Sequence, residues 1–244
     1  MASAVPGKII ITGTGRAGTT LLVRLLTELG LDTGYDRKNW RRDFDEHCTA
    51  GLERNIVDED SPRIVKNPAL CAALPLLLAQ GTVSVEHAII PIRALDDATH
   101  SRIRIGGDGS VPGGLMGTTQ ASGQKAVLAE NFHGLMHALT LYEIPHTLLD
   151  FPRFALDVHY AWEKLHPVFD TIGFIDFATA FARVSDPGLI HNFHHIGLDS
   201  AGQPAREYTR NRQRKRWLRH LKRAVIYSCL FAAGWRVALL FSVG

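Results

Sequence analysis

The chain has 244 residues, 45% of them hydrophobic and 21% charged, which suits one sizeable α/β domain and excludes wholesale disorder. Its three cysteines, Cys48, Cys71 and Cys229, make neither a disulfide framework nor a metal-type spacing, and they fit a reducing compartment. The formal net charge of +3 hides an asymmetry: residues 206–244 hold ten Lys and Arg against one Glu, and the first 205 residues are net acidic.

The N-terminal residues lack the basic-then-apolar pattern of a secretory leader, so a cytoplasmic protein is expected. Lys8–Thr12 is a short β-branched run bounded by glycine and predicts a buried strand. Leu21, Leu22, Leu25, Leu26 and Leu29 then recur at helical spacing, and Gly30 stops the helix. Residues 32–60 are polar and crowded with charge, which predicts a loop with one short helix. A second strand is expected over Arg63–Lys66, ending at Asn67-Pro68, followed by a helix over Leu70–Gln80 with Pro75 inside it.

His87–Ile92 reads as a third strand and Asp96–Ile105 as the helix after it. Gly106–Gly123 holds seven glycines in 18 residues, too many for regular structure, and loops of that length are commonly functional lids or disordered. Gln124–Tyr142 is a well-patterned helix, His146–Phe151 a fourth strand and Leu156–Leu165 a further helix. Alternation of this kind predicts a mostly parallel sheet flanked by helices in three layers. The expected organisation is one domain over residues 1–205 and a helical segment over 206–244, packed on or continuing it. In that segment the basic stretch Arg206–Arg223 precedes the apolar stretch Ala224–Gly234. The pattern predicts a surface for an anionic membrane or nucleic acid, or else a solvated helix before a packing segment. Arg236 interrupts an apolar run already too short for a membrane span.

The strand at Lys8 runs into Gly13-Thr14-Gly15-Arg16-Ala17-Gly18-Thr19-Thr20, which opens the first helix. Glycines let successive backbone N–H groups converge on one anion, and the helix adds its positive end, so residues 8–20 predict a phosphate-cradling P-loop. A plain strand-to-helix turn is the other reading. Nucleotide hydrolases place a lysine after the last glycine to reach the terminal phosphates. Thr19 stands there instead, and Arg16 is the cation within the loop.

Gly-x-x-Arg-Ala-Gly-Thr-Thr-x-Leu over residues 13–22 resembles the 5′-phosphosulfate loop of sulfotransferases. These enzymes take a sulfuryl group from 3′-phosphoadenosine 5′-phosphosulfate (PAPS). Arg93 at a strand end and Ser101 eight residues later resemble the family's 3′-phosphate site. Ile64-Val65-Lys66 resembles the strand carrying a lysine that stabilises the sulfuryl group in transfer, and His146–Asp150 resembles the fourth strand. The resemblance spans about residues 8–165 and implies a P-loop fold. It also implies a PAPS site at Gly13, Gly15, Arg16, Ala17, Gly18, Thr19, Thr20, Arg93 and Ser101, and catalysis by Arg16 and Lys66.

The chain departs from the family pattern at several places. Asn67 and Pro68 stand where many members carry a basic His, Leu21 where an aromatic residue often stacks on adenine, and Leu149 where a Tyr is common. Arg214-Lys215-Arg216-Trp217 is only a loose counterpart of the late phosphate clamp. The catalytic base is expected in the charged loop at Asp36, where some members place a Glu shortly after a Gly, with Glu46 and His47 as alternatives. On that expectation Asp36→Asn abolishes turnover and leaves cofactor affinity intact.

The expected acceptor is a hydroxyl or amine of a small molecule or glycan. His133 with His137, and the cluster His191, His194 and His195, lack the Glu or Cys companions of a zinc motif, so no metal is expected. The competing functions are a P-loop kinase with a degenerate loop and a non-catalytic P-loop protein binding lipid or nucleic acid through its basic tail. Oligomeric state is not legible.

Overall fold

The computed structural model describes residues 7–46, 48–106 and 111–189. Its centre is β1 (Lys8–Ile11), whose three isoleucines are buried. A strand covered on both faces needs such an unbroken apolar run. β4 (Ile64–Lys66) pairs with it on one side and β5 (Val85–Ile92) on the other, and β6 (His146–Asp150) extends the sheet beyond β5. All three pairings are parallel, with Ile11 opposite Lys66 and Ile89, and Ile92 opposite Asp150.

Alternation along β1 divides the core in two. Ile9 and Ile11 join Leu22, Leu25 and Leu26 of α1 (Thr19–Glu28), while Ile10 joins Leu70 and Leu74 of α2 (Leu70–Ala79). α3 (Leu95–Ile105) follows β5, and Leu135 and Leu139 of α4 (Gln124–Leu141) complete the second cluster. The architecture is therefore α/β, a four-stranded parallel sheet with a hydrophobic cluster and helices on each face.

The expected helix over Leu156–Leu165 is present from Val158 onward, and a short helix precedes it. α5 (Arg153–Leu156) and α6 (Val158–Leu165) are separated by Asp157, whose extended backbone ends one, while its carboxylate accepts the Tyr160 N–H and caps the other. The loop over 32–60 holds its short helix as a 3₁₀ turn at Trp40–Arg42, and also a small antiparallel pair, β2 (Phe44–Asp45) with β3 (Ala50–Gly51). Gly51 permits that pairing: its φ is +111°, and a Cβ there would stand 2.1 Å from the Asp43 carbonyl oxygen.

α7 (Phe174–Val184) was not among the expected elements, and it buries Phe177, Ala180, Phe181 and Val184 against the α1 side of the core. Among the described residues, no helix is long and apolar enough to cross a membrane. The segment 206–244, with the expectations attached to it, lies outside the described residues.

Candidate functional site

β1 ends at the sheet's carboxyl edge, where parallel α/β sheets gather their ligand-binding turns. Thr12 still donates its N–H to Ile89, and the chain then turns through positive φ at Gly13, Gly15, Arg16 and Gly18. Two of the glycines are required by space as well. A Cβ on Gly15 would stand 2.3 Å from the Arg102 guanidinium, and one on Gly18 would stand 2.8 Å from the Phe154 ring. Arg16 holds a left-handed backbone (φ 57°) despite its side chain, a strain that side-chain bonds must offset.

Gly18 caps α1 without a side-chain bond, and the Leu22 N–H donates to the Gly18 carbonyl. The N–H groups of Thr19, Thr20 and Leu21 therefore begin the helix with no intrahelical acceptor, at the positive end of its dipole. Free donors of this kind are what an anion-binding helix start requires.

Four hydrogen-bonded cations line a cavity around this helix start. Arg16 donates from Nε to Ser101 Oγ at 2.9 Å and from Nη1 to the Cys48 carbonyl. Arg93 donates to the Arg16 carbonyl at 3.1 Å, faces Asp97 at 3.7 Å and stacks over Phe151. Arg93 and Ser101, expected as a pair, thus meet through Arg16.

Lys66 is 2% exposed and donates to the Gly51 carbonyl at 2.7 Å and to a Glu53 carboxylate oxygen. Burial pushes its pKa down, opposed by Glu53. Arg102, 4% exposed, is the fourth. Its Nε and Nη2 reach the Thr14 carbonyl at 2.9 and 2.7 Å, and its Nη1 reaches the Gly114 carbonyl. Desolvation first, and then Arg16, bring its pKa down to about 10.

Residues 111–117 of the glycine-rich segment line the cavity beside this cluster. Gly113 packs against the Arg16 side chain so closely that a Cβ would stand 2.8 Å from Nη1. Gln124, at the start of α4, donates to the Met116 carbonyl at 3.0 Å and accepts the Met116 N–H at 2.7 Å. The result is a cavity of about 410 Å³.

Gly15, Arg16, Gly18, Thr19, Thr20, Lys66, Arg93 and Ser101 all line that cavity, so the structure gathers most of the expected residues at one place. Gly13 and Ala17 do not line it: Gly13 lies against Ile90 and Pro91, and Ala17 is fully buried. Asp36 is also outside it, on the exposed loop. Its carboxylate accepts the Lys38 and Asn39 N–H groups, and these bonds lower its pKa. Glu46 is exposed and does not line the cavity, and His47 lies outside the described residues.

Two acids line the cavity, Glu53 and Asp186, neither marked by a motif, and Glu53 is the one bonded to Lys66. Arg102 was missed too, since only its neighbour Ser101 carried a pattern. His133 and His137 are exposed on α4, the later histidines lie outside the described residues, and no group of three metal-ligating side chains occurs among those described. Comparison with protein-family models, with curated proteins and with solved structures yields no match.

Proposed function

We propose that this protein is a PAPS-dependent sulfotransferase with a P-loop donor site at residues 13–20. The observation that carries the reading is one cavity joining an uncapped helix start, with Thr19 in the usual lysine position, to Arg16, Lys66, Arg93 and Ser101. The residues fit the donor: a cradle of backbone N–H groups for the 5′-phosphate, and a guanidinium and hydroxyl for the 3′-phosphate. Bound there, the phosphosulfate supplies an activated sulfuryl group.

Sulfuryl transfer, like phosphoryl transfer, spreads charge over equatorial oxygens while the entering and leaving atoms stay in line. Arg16 and Lys66 neutralise that charge from fixed positions, which is worth most in a site that excludes water. Glu53 takes the proton from the acceptor hydroxyl or amine as the new bond to sulfur forms. The bridging S–O bond breaks, and adenosine 3′,5′-bisphosphate departs with the electron pair. Glu53 replaces Asp36 in this role because its carboxylate lies in the cavity, beside Lys66.

Calorimetry with adenosine 3′,5′-bisphosphate tests the reading. Binding without magnesium, lost in Arg93→Ala, is expected. Magnesium-dependent ATP binding with no affinity for the bisphosphate overturns it in favour of a kinase.

A further inference from the structure

Arg24 lies one helical turn beyond Thr20 on α1 and lines the same cavity, yet the donor site leaves it without a role. Its guanidinium carbon stands 4.6 Å from the centre of the Trp40 ring and 5.9 Å from that of Phe44. Arg41 stacks on the same Trp40 at 4.6 Å, so two cations share one indole. Stacking uses the face of a guanidinium and leaves its rim of N–H donors for in-plane partners.

Those donors have no partner among the described residues. Arg24 Nε is buried without a hydrogen bond, and the side chain makes no ion pair. The nearest acid on its own helix, Glu28, is held by Arg37 at 3.2 Å and Arg183 at 3.7 Å. Asp186 lines the cavity as well, with one oxygen accepting the Gly188 N–H at 2.9 Å. Burial, with Arg41 adding to it and Glu28 and Asp186 opposing, holds the Arg24 pKa below its ordinary value. Glu28 and Asp186 act on Arg24 through space without bonding to it, so a buried donor beside a cavity stays unmet until a hydrogen-bond acceptor arrives.

That group is assigned to the second substrate. The 5′- and 3′-phosphates already have the helix start, Arg93 and Ser101, and Arg24 lies about 6 Å further along the helix than Thr20. Phe44, Leu21 and Val184 line the cavity with it and supply apolar contact. We infer that Arg24, stacked on Trp40, binds a carboxylate, sulfate or phosphate group of the acceptor, so that the acceptor is an anion with an apolar body. This assignment rests on the donor reading of residues 13–20.

The test uses the full chain as wild type, Arg24→Gln and Arg24→Lys. With adenosine 3′,5′-bisphosphate saturating, 4-hydroxybenzoate and its uncharged methyl ester are titrated by calorimetry. The carboxylate is expected to bind about tenfold more weakly to Arg24→Gln, as loss of a charged hydrogen bond implies. Arg24→Lys recovers part of that loss, the ester does not distinguish the variants, and bisphosphate affinity stays within about twofold.

Equal carboxylate affinity in wild type and Arg24→Gln overturns the inference, and so does no measurable binding to either. A tenfold loss of bisphosphate affinity in Arg24→Gln also overturns it, by giving Arg24 to the nucleotide. If the bisphosphate fails to bind the wild type, the donor reading fails by itself. The carboxylate titration without nucleotide then still decides whether Arg24 is an anion site. Unchanged unfolding transitions show that the variants are folded.

Discussion

Replacing Arg102 by Met removes one guanidinium and strips two buried carbonyls, Thr14 and Gly114, of their donors. Hydrogen bonds to a charged group are worth about 1.5–3 kcal/mol each, so three of them hold about 5–9 kcal/mol gross. The variant recovers the several kcal/mol spent in taking an unpaired cation out of water. The balance is a destabilisation of about 2–4 kcal/mol, in line with two buried carbonyls left unmet at about 1–3 kcal/mol each. Urea unfolding at neutral pH reads this directly, and a thermal scan should move down by about 5–15 °C. A midpoint equal to wild type would refute the idea that Arg102 ties the glycine turn to the glycine-rich segment.

A second mutation sharpens the test. Gly15→Ala in the wild type strains a φ of +68° and drives a methyl into the guanidinium. In an Arg102→Ala background the clash partner is gone, leaving only backbone strain of about 1–2 kcal/mol. Equal costs in the two backgrounds would contradict the geometry.

Two further outcomes are expected. Glu53→Gln, which keeps an amide oxygen for Lys66, should lower sulfuryl-transfer turnover by about 100-fold or more with bisphosphate affinity retained, while Asp36→Asn leaves turnover within about twofold. Steady-state kinetics on the two variants checks both, and the reverse ranking would return the base to the exposed loop. On β5, His87 has its pKa held below 6.5 by burial and by His146. The folded imidazole therefore resists a proton that the unfolded one accepts. Its neutral form contributes stability fully above pH 6.5, and that contribution is lost as the pH falls through the folded value. Urea midpoints at pH 7.5 and 5.5 should diverge less in His87→Gln than in wild type.

The central strands were legible because β1 and the middle of β5 are buried apolar runs, whereas the edge strand β6 carries His146, Thr147 and Asp150 and is half exposed. The break at Asp157 was missed although its signal is local, an Asp three residues before the Tyr160 N–H that it caps. α7 carried a readable period, with Phe177, Ala180, Phe181 and Val184 at helical spacing.

The site divides along the same line. Backbone-driven features, the glycines and the helix start, are written in short motifs. The roles proposed for Glu53 and Arg24, and the bonds of Arg102, depend on tertiary placement, and nothing adjacent in the chain distinguishes these residues from surface charges. Asp36 shows the converse, since a Gly-x-Asp pattern fits a loop cap as well as a catalytic acid.

The Gln124 side chain serves Met116 as a neighbouring strand would, giving one donor and one acceptor to a single residue's N–H and carbonyl. That reciprocity constrains which residues position 124 can accept. Glu would satisfy the N–H and orphan the carbonyl, Met would orphan both, and Asn is one methylene short. Deamidation, which swaps the NH₂ group for an oxygen and leaves the shape nearly unchanged, would release one of the two bonds holding the cavity's roof to α4. Drift at this position is therefore limited by hydrogen-bond polarity, whereas an ordinary core site of the same burial is limited by volume.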